Sequence, residues 1–219
     1  MDDAELSQAY YLDLAAAYVR GLRPDCATDS PAATFHAGVA AGLRLHRFKR
    51  TAGLPRVRRV LGILRGLAPS ELLDIGTGRG AFLWPLLDAY PGLPVLAVDN
   101  DPHRTAVAAA VRAGGVGRLT AVTMDATRLG LADRSFDVAT ALEVLEHLAR
   151  PDRAVAELAR VARRAVVASV PSRPDDNPEH VQLFTKRRLE ALFHDAGFAT
   201  VRIDAVLNHY VLVATGGER

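Results

Sequence analysis

Cysteine is nearly missing from this chain: Cys26 is its single thiol in 219 residues. One thiol excludes an internal disulfide framework and a cysteine-rich metal site. No apolar stretch approaches the length of about 20 residues that a membrane helix needs. The opening residues, Met1-Asp2-Asp3-Ala4-Glu5, carry acid where a secretory leader carries base. A cytoplasmic protein with no membrane partner is the expectation. Lysine is also scarce, with Lys49 and Lys186 the only two among 27 basic residues. The excess of arginine, with heavy alanine use, points to a GC-rich genome and says nothing about chemistry. Net charge is +2, too small by itself to imply a nucleic-acid partner. Against these absences stands an apolar content of 49%, which excludes a disordered chain. The length suits one domain with an apolar core on both faces of a sheet. The chain shows neither internal repeats nor low-complexity tracts.

The stretch Leu72-Leu73-Asp74-Ile75-Gly76-Thr77-Gly78-Arg79-Gly80 narrows the field most. An apolar run reads as a buried strand, and three glycines at alternate positions read as a turn whose backbone passes close to a ligand. Residues 81–89 can form a helix, so the unit is strand, glycine-rich turn, helix. A helix start there offers unpaired N–H groups to an anion. Dinucleotide-binding turns run G-x-G-x-x-G, whereas the spacing here is G-x-G-x-G. Two further strands end in acids. Leu93-Pro94-Val95-Leu96-Ala97-Val98-Asp99 closes about twenty residues past the first glycine, where a carboxylate can accept both ribose hydroxyls of an adenosine. Leu119-Thr120-Ala121-Val122-Thr123-Met124-Asp125-Ala126 is the next. Either acid alone could merely begin a turn; three acid-terminated strands in series with these glycines are harder to explain that way.

This arrangement resembles motif I and the strand ends of the S-adenosylmethionine-dependent methyltransferases with a Rossmann-like fold, over residues 70–214. The resemblance implies that Asp74, Gly76, Gly78 and Gly80 line the methionine part of the cofactor. It also implies that Asp99 holds the ribose and Asn100 lies beside the adenine. Asp125 would contact the adenine amino group, with the Ala126 backbone against the ring. Arg79 departs from the small or acidic residue more usual there, and either meets the methionine carboxylate or faces solvent.

The rest of the pattern fits that class. Strands are expected at 71–75, 95–99, 119–124, 136–142 and 165–170, with helices at 102–113 and 152–161 between them. A helix over 184–196 and two closing strands, 199–206 and 210–214, complete it. The expectation is an α/β fold, a doubly wound, mostly parallel sheet of seven strands whose last strand runs antiparallel. Pro85 fits the first crossover helix only if that helix starts near Phe82 or bends there. Helices expected at 4–20, 32–48 and 55–67, with a loop at 21–31, form an N-terminal lid. Residues 1–69 are thus read as a helical cap and 70–219 as the core of one domain.

After the fourth strand the chain reads Ala141-Leu142-Glu143-Val144-Leu145-Glu146-His147-Leu148. Residues beyond the carboxyl ends of such strands face the ligand. The segment resembles many small-molecule methyltransferases of this fold. It also resembles two metal-dependent groups, the ubiquinone-pathway O-methyltransferases and the 3′-terminal ribose methyltransferases of small RNAs. In that register Glu143, Glu146 and His147 would hold a divalent ion, with His180 as the fourth ligand. Two carboxylates and two imidazoles suit Mg, Mn, Fe or Zn, and such an ion would lower the pKa of a bound hydroxyl. The alternative is that no metal binds and the acids cap a helix, with His147 as general base or packing. Catalytic candidates are His147 and His180, with Glu143 behind them.

A basic run, Arg44, His46, Arg47, Lys49, Arg50, Arg56, Arg58, Arg59 and Arg65, has three readings: a solvated face, a site for an anionic acceptor, or phosphate contacts to RNA. RNA is weakened by the lack of interleaved aromatics for base stacking, Phe48 being the one nearby. The function expected is methyl transfer from S-adenosylmethionine to a small organic acceptor, at a hydroxyl oxygen. Left open are a ribose 2′-hydroxyl at an RNA 3′ end, an amine or amino-sugar nitrogen, and a homodimer.

Overall fold

The computed structural model of the chain describes residues 3–216; Met1 and Asp2 of the acidic start lie outside them. The core is one seven-stranded sheet, built from β1 Leu72–Ile75, β2 Val95–Asp99, β3 Leu119–Thr123, β4 Phe136–Leu142, β5 Ala162–Pro171, β6 Phe198–Val206 and β7 His209–Gly216. The strand order is β3-β2-β1-β4-β5-β7-β6. β1 to β5 pair in parallel, while β7 runs antiparallel to both β5 and β6. Alternate residues of the strands feed two separate cores: Leu72 and Val138 belong to one apolar cluster, Leu73 and Ala139 to the other. That alternation of two buried faces is what a doubly wound sheet requires.

The connecting helices follow expectation closely. They are α5 Leu83–Ala89, α6 Pro102–Ala113, α7 Pro151–Val161 and α8 Lys186–Asp195. Asp101 caps α6 by accepting the His103 N–H, and Thr185 caps α8 by accepting that of Arg188. The latter cap starts α8 after Phe184 rather than at it. Pro85 is the third residue of α5, inside the turn whose N–H groups have no helical partner, so its missing donor costs nothing.

The N-terminal lid departs from the sequence expectation twice. Instead of one helix over 4–20 there are two, α1 Asp3–Ala9 and α2 Leu12–Leu22. The break falls where Tyr11 donates its N–H to the Phe48 carbonyl and its hydroxyl accepts the N–H groups of Thr51 and Ala52. The helix expected over 32–48 stops early, as α3 Pro31–Ala40, because Gly42 turns left-handed with φ +82°. A single 3₁₀ turn, His46–Phe48, then leads to α4 Pro55–Leu67.

The lid is packed into the core, sharing one buried cluster: Leu6, Tyr11, Leu14 and Phe48 lie with Trp84, Leu86 and Val111. Phe48 meets the Trp84 ring at 4.9 Å. The basic run holds the lid in place through Arg50 paired with Asp88 and Arg59 paired with Asp204. The tightest seam is between α2 and α6. A Cβ added at Gly114 would stand 1.7 Å from the Ala17 carbonyl oxygen, and one at Gly21 would stand 2.0 Å from that of Ala110. Gly114→Ala is therefore expected to prise the lid off the sheet, lowering stability by about 3 kcal/mol and the melting midpoint by roughly 6–12 °C. Thermal melts of the two proteins measure it, and an unchanged midpoint would mean the two helices do not touch. Among the described residues no helix is long and apolar enough to cross a membrane.

Candidate active site

The strand order reverses between β1 and β4, the place where open α/β sheets bind ligands beyond their carboxyl ends. A cavity of about 480 Å³ lies there. Of the residues expected around a cofactor, Asp74, Gly76, Gly78, Asp99, Asn100, Asp125 and Ala126 all line it. Gly80 does not. It sits behind the wall, where a Cβ would fall 2.0 Å from the Trp84 indole nitrogen, so its part is to let α5 pack closely. Gly76 has φ +70°, and a Cβ there would strike Val144 at 2.4 Å. Arg79 lines the cavity and its carbonyl accepts from Trp84.

The acids differ in state. Asp99 is buried; one oxygen accepts the Gly78 N–H at 2.8 Å and the other that of Asp101 at 3.0 Å. Each oxygen keeps a lone pair, which is what two vicinal hydroxyls need. Asp125 takes the Thr127 N–H and hydroxyl on Oδ1, both at 2.8 Å, which holds its pKa below the usual range. Its Oδ2 is left for another donor, as an adenine amino group would require. These residues fit an adenosyl ligand.

Asp74 is buried beneath the turn, with Oδ1 bonded by the Thr140 hydroxyl at 2.7 Å and Oδ2 without a partner. Burial, seconded by the Asp99 charge and opposed by Thr140, pushes its pKa up to about 7. A folded-state pKa above the unfolded one means stability is full below about pH 4 and falls as pH rises through 7. Asp74→Asn removes that penalty. Its unfolding free energy is expected to match the parent's near pH 4 and to exceed it increasingly up to about pH 7, levelling off above that at a few kcal/mol at most. A difference that is flat with pH would show that Asp74 does not titrate in this range.

Beyond β4, Glu143 takes φ +56°, a left-handed conformation costly for a side-chained residue and typical of functional sites. Its Oε1 accepts the Ser169 hydroxyl at 2.6 Å, its Oε2 pairs with His209 Nε2 at 3.1 Å, and Arg56 stands 3.9 Å from Oε1. Burial would raise its pKa, but the bonds from His209 and Ser169, with the charges of His209 and Arg56, lower it on balance. Glu143 is thus held ionised at the cavity wall.

A 3₁₀ turn, Leu145–His147, carries the other candidates. His147 lines the cavity, and its Nδ1 lies 3.0 Å from the Glu179 carbonyl. Glu146 is buried behind it, both carboxylate oxygens lacking a hydrogen bond. Burial, and next the Glu143 charge, push its pKa up to about 8. His180 comes edge-on to His147, with ring centroids 4.8 Å apart, and its Nε2 is 4.0 Å from Glu146. Glu146, His147 and His180 therefore offer ligand atoms within 4.8 Å of one another. Glu143 is not among them. Of the four ligands expected, the structure gathers three, because Ser169 and His209 draw the Glu143 carboxylate away. His180 is itself held, by Asp175 at Nδ1 and the Asn177 amide at Nε2.

Sequence reasoning missed Thr140, Ser169, Glu179 and His209, none of which has a local signature. Arg56 was visible only as one member of a basic run.

The family model described as a methyltransferase domain matches residues 73–168. Two curated relatives are malonyl-acyl-carrier-protein O-methyltransferases. One, from Methylococcus capsulatus, is 32% identical over 64% of this chain and 56% of its own length. The other, from Geobacter sulfurreducens, is 29% identical over 67% of this chain and 63% of its own. The chain spans less than two thirds of each relative's length. Solved structures of the same fold include a putative O-methyltransferase from Nostoc punctiforme, with TM-score 0.62 and 17% identity over 74% of this chain and 56% of that one. They also include the cyclase SpnF, with TM-score 0.61 and 18% identity over 72% and 80%. Residues 73–168 thus match a methyltransferase domain, within a Rossmann-like fold that the solved structures share.

Proposed function

We propose that this protein, as one domain of lid and core, transfers a methyl group from S-adenosylmethionine to an oxygen of a small organic acceptor, with His147 as the base. One observation carries the reading. A carbonyl can only accept, so the contact with Glu179 places the proton of neutral His147 on Nδ1 and leaves the Nε2 lone pair free. That imidazole lines the same cavity as the glycine turn. The cofactor, when bound, supplies an already activated methyl on a sulfonium, so the protein's task is placement and removal of one proton. Asp99, Asp125 and the turn fix the adenosyl end. Glu143, kept ionised by His209 and Ser169, adds negative charge to a wall facing a cationic donor. The malonyl-acyl-carrier-protein relatives are likewise O-methyltransferases.

A second reading is favoured by Glu146. A buried carboxyl with neither oxygen bonded is unusual, and a divalent ion shared with His147 and His180 would supply its partner. That ion would polarise an acceptor hydroxyl from the site of His147. The test is methyl transfer from labelled cofactor to catechols, hydroxylated polyketides, carboxylic acids, amino sugars and short RNAs, with and without chelator. The base reading expects transfer to oxygen that is indifferent to chelator. Loss on chelation with recovery on one added metal would establish the ion instead. Transfer confined to nitrogen or to RNA 3′ ends would overturn the acceptor class.

A further inference from the structure

The basic run of the lid reaches the cavity wall at Arg56. Arg50 and Arg59 spend their charge clamping the lid, whereas Arg56, in the first turn of α4, lines the cavity. Its side chain is 21% exposed and makes no hydrogen bond among the described residues. The nearest acid, Glu143, is 3.9 Å away, beyond hydrogen-bond reach, its carboxylate being turned toward Ser169 and His209. Glu143 therefore offsets part of the charge of Arg56 but leaves its planar fork of N–H donors unmatched. Arg104, also at the cavity, stands 3.3 Å from Asp101 and is twice as exposed, so it is not equivalent. A largely desolvated guanidinium with free donors fits a carboxylate or phosphate, which can take two parallel N–H bonds.

We propose that Arg56 is the anion anchor of the acceptor site, so that the methyl acceptor carries a carboxylate or phosphate group. This rests on the methyltransferase reading above. An acceptor held through its anion by Arg56 presents its reacting oxygen toward His147 on the wall of the same cavity. If that oxygen is a hydroxyl, its proton passes to His147 Nε2 as the oxygen bonds the methyl carbon. The carbon–sulfur bond breaks in the same step, its electron pair returning to sulfur. If the anion is itself the acceptor, no proton moves and Arg56 alone orients it.

The test uses the full chain loaded with S-adenosylhomocysteine and labelled with ¹⁵N-arginine. The Arg56 Nε–H signal is followed while benzoate, malonate or inorganic phosphate is added. A saturable shift of that signal with at least one anion is expected, and the anion that produces it tells carboxylate from phosphate. Arg56→Met should weaken that anion about tenfold or more, with S-adenosylhomocysteine affinity unchanged within roughly twofold. Arg56→Lys should recover part of the loss. If S-adenosylhomocysteine binds and no anion moves the Arg56 signal, this inference falls while the donor site stands. If Arg56→Met weakens the donor product instead of the anion, it falls too. Failure of S-adenosylhomocysteine to bind the parent protein overturns the methyltransferase reading, and the anchor with it.

Discussion

Asp99→Ala is expected to weaken binding of S-adenosylhomocysteine by about two to four orders of magnitude. Two hydroxyl hydrogen bonds to a charged acceptor are worth roughly 1.5–3 kcal/mol each, and every 1.4 kcal/mol is about tenfold in affinity. The residue is suited to that loss because it is buried and pre-aimed. The Gly78 and Asp101 N–H groups fix both oxygens before any ligand arrives. Removing it also frees the glycine turn, so Asp99→Asn is the sharper comparison. The amide keeps the side chain's shape and one acceptor oxygen but loses the charge, and should fall between the parent and the alanine variant. Titration calorimetry on the three proteins decides. Parent-like affinity in Asp99→Ala would mean the adenosyl group sits elsewhere.

His147→Ala is expected to slow methyl transfer to a hydroxyl acceptor by about 10²–10⁴-fold, the usual worth of a placed general base. Affinity for S-adenosylhomocysteine should stay near that of the parent, since the proposed adenosyl contacts lie at the ends of β2 and β3. A pH profile separates base from metal ligand. With a base, the surviving rate of the variant loses the acidic limb that protonation of an imidazole imposes and rises with hydroxide instead. With an ion, the variant loses metal as well as activity, which elemental analysis detects. A variant with full activity on every accepted hydroxyl would remove His147 from the chemistry.

Much of this architecture could be read before any coordinates. Apolar runs ending in Asp74, Asp99 and Asp125 carried their own signal, because a strand buried on both faces is continuously apolar and an acid near its carboxyl end stands out against it. The boundaries of β2, β4 and α6 fell where expected for the same reason. The lid was less legible. The break at Tyr11 depends on its hydroxyl meeting the N–H groups of Thr51 and Ala52, a contact between distant segments that local periodicity cannot contain. Gly42, by contrast, was a visible stop signal inside the helix expected over 32–48, and its left-handed turn ends α3. Gly80 illustrates a different gap. The spacing marked it as special, but only the position of Trp84 shows that the need is packing rather than ligand contact.

The sequence by itself determined the strand–turn–helix unit, the acids at the strand ends and hence the proposed adenosyl half of the site. Those features are local, set by burial period and by where glycine is obligatory. Tertiary structure decided the other half. It turned Glu143 toward Ser169 and His209, left Glu146 buried without a partner, and set Arg56 of the lid at the cavity wall. Charge state and contact there depend on groups brought together from β4, β5, β7 and α4, and spacing along one chain holds no record of that meeting.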